Sequence, residues 1–147
     1  MSIKLFFTRI ADGTYLRLLL GLKRYEEIGR ITGFNSATGQ MPEGVEQFRS
    51  ALSNLRKEVV VRGLEISSVI KVSIMVADGN FALSNWHLLD EMWLETFGVR
   101  AWNDPSLSLP GAVMRPLWKF SSNAVFVGQP RLPGAPIWVM LHATVES

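Results

Sequence analysis

Apolar side chains recur along residues 43–62 at Val45, Phe48, Leu52, Leu55 and Val59, with spacings of three, four, three and four. That rhythm returns to one side of a helix at every turn, so the segment predicts an amphipathic helix. Arg49, Lys57 and Glu58 fall away from the stripe, and Gly63 stands where a helix C-terminus favours glycine. Residues 68–77 (SVIKVSIMVA) are rich in β-formers and alternate imperfectly, as a strand with a helix on one face would. A second helix is predicted over 81–97, where Trp86, Leu89, Trp93 and Phe97 share a face and Gly98 closes the run.

The rest of the chain reads as short strands and loops. Residues 3–10, 14–22 and 25–33 have strand character, with a turn at Asp12-Gly13 and a loop over 35–39. Residues 102–116 carry Pro105, Pro110, Gly111 and Pro116 and predict a long loop, of a length that is often functional. Strands are expected at 117–127 and 136–145, with Pro130, Pro133 and Pro136 marking their connection. The order β-β-β-α-β-α-β-β predicts an α+β fold: a single domain over 1–147, with a mixed sheet and two helices packed on one face.

Composition narrows the function. With 48% hydrophobic and 19% charged residues, the chain of 147 residues is globular rather than disordered. No apolar stretch approaches the roughly 18–20 residues of a membrane span. Lys4 and Arg9 break the apolar start, so no secretory signal is read there. The chain has no cysteine, which removes thiol nucleophiles, disulfides and Cys-based zinc sites and fits a cytoplasmic location. With only His87 and His142, no His-rich metal site is expected, and a Ser-His-Asp triad would need one of the two. The net charge of +2 is scattered, and Lys23-Arg24 is followed at once by Glu26-Glu27, so no nucleic-acid footprint is read.

The stretch EQFRSALSNLRKEVVVRGLEISSVIKVSIMVAD, residues 46–78, resembles the RidA/YjgF family of reactive-intermediate deaminases. The resemblance rests on Glu46, Gln47, Arg49, Ala51, Leu52, Asn54, Leu55, Gly63, Val69, Lys71, Val72 and Asp78. Thr32-Gly33 and Ala37-Thr38-Gly39-Gln40 are similar to the family's serine-glycine strand end and ATG loop, and Arg131-Leu132-Pro133 to its turn before the last strand. Most of these residues specify fold and carry no chemistry. The resemblance implies a chorismate-mutase-like α+β fold and a homotrimer with small-molecule sites in clefts between subunits. It also implies hydrolysis of enamines and imines without metal or organic cofactor.

The residues for that chemistry are partly in place. The family holds the substrate carboxylate with an arginine before the penultimate strand, and Arg115 is the best match. Another alignment puts Asn123-Ala124 there and leaves no arginine. The family's last-strand glutamate, which positions a water, has no carboxylate counterpart in IWVMLHATV. His142 is the titratable side chain of that segment, a candidate general acid or base against the alternative of a packed core histidine. Tyr15 and Tyr25 are candidates for the family's tyrosine, Tyr25 lying nearer the Thr32-Gly33 strand end, and Thr32 and Gly33 match its cleft lining, where glycine would let a ligand approach the backbone. Trp102 and Trp118 would line an aromatic pocket, which suits a larger substrate. Glu26 and Glu27 alternate faces, so at most one faces a site, and Asp90 reads as a helix-flank charge.

Three readings stay open. One is a diverged RidA-like enzyme acting by hydrolysis, isomerisation or cyclisation on a small carboxylate-bearing, aromatic or enamine/imine intermediate of specialised metabolism. The others are an ordinary deaminase releasing ammonia and a non-catalytic trimer that binds a small ligand or protein.

Overall fold

The computed structural model describes residues 24–98, 117–121, 124–126 and 132–146. The strands expected over 3–10 and 14–22 and the loop over 102–116 lie outside them. Strand β1 is Tyr25–Ile31, helix α1 Val45–Val61 and strand β2 Val69–Val76. Helices α2 (Gly79–Ser84) and α3 (Trp86–Phe97) follow, then β3 (Leu117–Ser121) and β4 (Val139–Glu146). The sheet order is β1-β4-β2-β3. β4 is antiparallel to both neighbours, and β2 and β3 run parallel, so the sheet is mixed.

The helix stripe does what its spacing implies. Phe48, Leu52, Leu55 and Val59 are buried, and Ala51 lets α1 approach the sheet. They meet Ile28 of β1, Val72, Ile74 and Val76 of β2 and Val139, Leu141, Ala143 and Val145 of β4 in one core. Each of the Val, Leu, Ile and Phe side chains contributes about 1.5–3 kcal/mol through burial. α3 adds Leu89, Met92 and Trp93. At the end of α1, Gly63 takes φ +73°, its N–H bonds to the Val60 carbonyl, and the Leu64 N–H bonds to that of Val59. These two bonds close the last turn, and the left-handed angle is why glycine stands there.

Four expectations are corrected. The second helix is two: the Asn85 side chain bonds back to the Phe81 carbonyl at 2.9 Å, and its own carbonyl starts α3 by accepting from Leu88 and Leu89. β3 ends at Ser121 rather than 127, and Ala124 bonds to Val76 from outside any strand. The last strand runs to Glu146, paired with Tyr25, so it does contain a carboxylate. Asp90 is buried in α3 rather than flanking it in solvent.

Two polar residues of the 46–78 stretch fasten loops to α1. Gln47, fully buried, donates from Nε2 to the Pro42 and Pro136 carbonyls and accepts at Oε1 from the Trp138 and Val139 N–H groups. Asn54 donates from Nδ2 to the Thr32 and Phe34 carbonyls at 2.9 and 2.8 Å. Gln47 thereby sets the entry to β4 and Asn54 the exit from β1.

Candidate functional site on the open face of the sheet

Alternation along the strands sends every second side chain away from the helices. In β4 these are Met140, His142, Thr144 and Glu146; in β2 they are Lys71, Ser73 and Met75. Register aligns Lys71 with Thr144, Ser73 with His142, and Glu27 of β1 with Thr144 from the other side. One row across three strands therefore reads Lys71, Thr144, Glu27, and the next holds Ser73 and His142.

The centre of this face is a hydrogen-bonded cluster. His142 Nε2 lies 2.6 Å from Glu27 Oε2, and the Thr144 hydroxyl donates to the same carboxylate at 3.0 and 3.1 Å. The His142 hydrogen bond, the largest influence, holds the Glu27 carboxyl below its usual range; burial opposes it, and the Thr144 bond and the positive charge of Lys71 add to it. A carboxylate only accepts, so Nε2 carries the hydrogen, and in the neutral ring Nδ1 keeps the lone pair. Side-chain exposures of 41% for His142 and 57% for Glu27 leave the pair open to water and solutes.

Gly29 makes room for the ring. A β-carbon there would stand 2.9 Å from His142 Nδ1 and 3.2 Å from Cε1. Beside it, register slips between Ile28 and Ile31, and Arg30 takes φ +59°, so β1 bulges next to the cluster. The ring leans toward Gly29 and away from Ser73. Among the described residues no hydrogen bond joins Ser73 to His142, so a serine nucleophile activated by this histidine is not assembled.

The other candidates are placed as follows. Tyr25 opens β1, exposed, two residues from Glu27 on the same strand face. Thr32 and Gly33 lie past the other end of β1, so the structure does not bring them together with Tyr25. Thr32 lines a separate cavity of about 320 Å³ with Arg30, Asn54 and Lys57. Gly33 is buried, and a β-carbon on it would stand 2.3 Å from the Gln47 carbonyl oxygen, so the close approach there is made by α1. Arg115 and Trp102 lie outside the described residues; Trp118 pairs in register with Val72, and its side chain lies outside them. Among the described residues no group of three His, Asp or Glu side chains gathers for a metal.

The sequence left Glu26 and Glu27 as carboxylates of which at most one faces a site, and it did not mark Gly29, Lys71, Ser73 or Thr144 as site residues. Its one signal was polar alternation: His142 and Thr144 share a face, as do Lys71 and Ser73. Only the pairing of β1 with β4 shows that Glu27 is the carboxylate facing them.

Solved structures share this architecture. Escherichia coli TdcF with bound serine matches at a TM-score of 0.57 and 19% identity, covering 87% of this chain and 83% of that one. RidA from an Antarctic Psychrobacter matches at 0.56 and 16%, covering 84% and 80%. The E. coli YjgF gene product matches at 0.56 and 17%, covering 82% and 79%. No family model and no curated protein matches the sequence. The chain is RidA/YjgF-like in its chorismate-mutase-like fold and far diverged in sequence.

Proposed function

With the RidA/YjgF fold as its frame, we propose that this chain is a diverged, cofactor-independent member of that family that hydrolyses a small carboxylate-bearing enamine or imine. The observation that carries this reading is the 2.6 Å contact between His142 Nε2 and a Glu27 carboxylate also held by Thr144. Glu27 fixes the tautomer with hydrogen on Nε2, which leaves the Nδ1 lone pair over Gly29. His142 then takes the part that a last-strand glutamate plays in the family, with a carboxylate supplied by Glu27 of the neighbouring strand.

In the proposed cycle Nδ1 accepts a proton from water as its oxygen bonds to the imine carbon. The imidazolium is stabilised by Glu27 and returns the proton to nitrogen. Collapse of the carbinolamine expels ammonia and leaves the keto acid, so one imine and one water give one ketone and one ammonia. General acid–base catalysis of this kind contributes about 10²- to 10⁴-fold.

The test is release of ammonia and keto acid from enzymatically generated 2-aminoacrylate. Wild type should be active, and His142→Asn should lose about 10²-fold or more. A folded wild type that releases no ammonia above the spontaneous rate, or a His142→Asn variant of undiminished rate, would overturn the reading. Arg115→Ala in the same assay tests the arginine proposed to hold the carboxylate.

A further inference from the structure

A cavity of about 490 Å³ opens where α2 meets the approach to β4, and none of its lining residues belongs to the His142–Glu27 cluster. Its volume is that of a small-ligand site. Phe81 of α2 and Trp138, just before β4, both line it, with ring centroids 5.0 Å apart and planes at 74°. The two rings therefore make a corner, and Pro136 adds a further apolar wall. The corner is held in place from behind. Trp138 Nε1 donates to the Gly44 carbonyl at 2.8 Å, and the Trp138 backbone N–H donates to Gln47 Oε1 at 2.8 Å. The charged side chains on the cavity are both acidic, Glu43 and Asp78. Asp78 Oδ1 accepts from the Asn80 and Phe81 N–H groups at 3.0 and 3.2 Å, so one carboxylate both lines the cavity and sets the turn that carries Phe81. Among the described residues the Glu43 carboxylate makes no hydrogen bond and no ion pair, and no lysine, arginine or histidine lines the cavity.

We propose that this corner binds a small quaternary ammonium compound. Such a cation spreads its charge over methyl groups that donate no strong hydrogen bonds, so it leaves water at low cost. Its methyl groups then meet ring faces, which carry the negative end of the aromatic quadrupole. The two carboxylates supply the counter-charge without having to touch it. A metal ion fits poorly, because it requires oxygen ligands on several sides and most of this wall is carbon. An anion would meet two negative charges and no positive one. A neutral apolar ligand would use the rings and leave both carboxylates without a counter-charge. The site is independent of the role given to His142, and it adds a binding function to the chain.

Choline is the probe, and 3,3-dimethylbutanol, uncharged and of the same shape, is its control. The indole N–H signals of the five tryptophans can be followed by proton–nitrogen NMR, and that of Trp138 identified by its absence in Trp138→Phe. Choline should move the Trp138 signal saturably, with a Kd of about 1 mM or below. The neutral alcohol should bind at least about tenfold more weakly. Phe81→Leu keeps an apolar wall without a ring face, and it should weaken choline about fivefold or more. Glu43→Gln combined with Asp78→Asn, whose amide still caps α2, should weaken choline severalfold and leave the alcohol unchanged. Equal affinity for choline and the alcohol would overturn recognition of the charge. Choline affinity unchanged in both Phe81→Leu and the double variant would overturn the site, as would a Trp138 signal that choline leaves unmoved. A peptide bearing trimethyllysine that binds more than about tenfold tighter than choline would overturn the assignment to a small molecule.

Discussion

Gly29 and His142 show how tightly one residue sets another's chemistry. A methyl group at position 29 meets the ring, the movable end of a flexible side chain, and not backbone. Gly29→Ala should therefore change stability by less than about 1 kcal/mol in urea unfolding. The displaced ring loses its alignment with Glu27, and the proposed deamination should fall about tenfold or more; an unchanged rate would show that ring placement does not matter. Glu27 gives a pH signature. Its pKa is lowered in the folded chain, so its pairing stabilises fully above the ordinary glutamate value, about 4.3, and that contribution is lost as pH falls through the lowered value. Exposure and screening hold the effect below about 1 kcal/mol. Between pH 5 and 3 wild type should thus lose slightly more stability than Glu27→Gln, as read by unfolding midpoints.

At the scale of elements, α1 organises the entry to β4 and the exit from β1 through buried polar groups. Gln47→Ala strands two carbonyls and leaves the Trp138 and Val139 N–H groups without their acceptor. A loss of about 2–4 kcal/mol is expected in denaturant unfolding. Gly33→Ala forces a β-carbon against the Gln47 main chain, which has no free end to yield, and should cost about 1–3 kcal/mol. These elements were the legible part of the sequence. The stripe from Phe48 to Val59 can be buried in only one way, and Gly63 closes its helix in the left-handed turn the pattern implied. The break at Asn85 was not legible, because its competing side-chain bond is a local choice that the apolar spacing on both sides conceals.

For the molecule as a whole, the mixed sheet covers its apolar face with α1 and α3 and keeps Lys71, Ser73, His142, Thr144 and Glu27 on the other. We propose that this face is shared between copies in a homotrimer. Sedimentation equilibrium should then give three times the 16.5 kDa chain mass, and a monomer at micromolar concentration would contradict it.

The sequence by itself determined the α1 stripe, the β2 run, the α+β class and the resemblance that named the fold. Those features are periodic or local, and hydrophobic burial acts on them wherever the chain goes. It also singled out His142. Only the tertiary structure decided the histidine's partner, because Glu27 and His142 stand 115 positions apart and meet through the register of β1 on β4. Register likewise put Ser73 beside His142, and close packing of α1 gave Gly33 its reason. A strand's own pattern fixes which residues share a face, and the neighbouring strand fixes what they face.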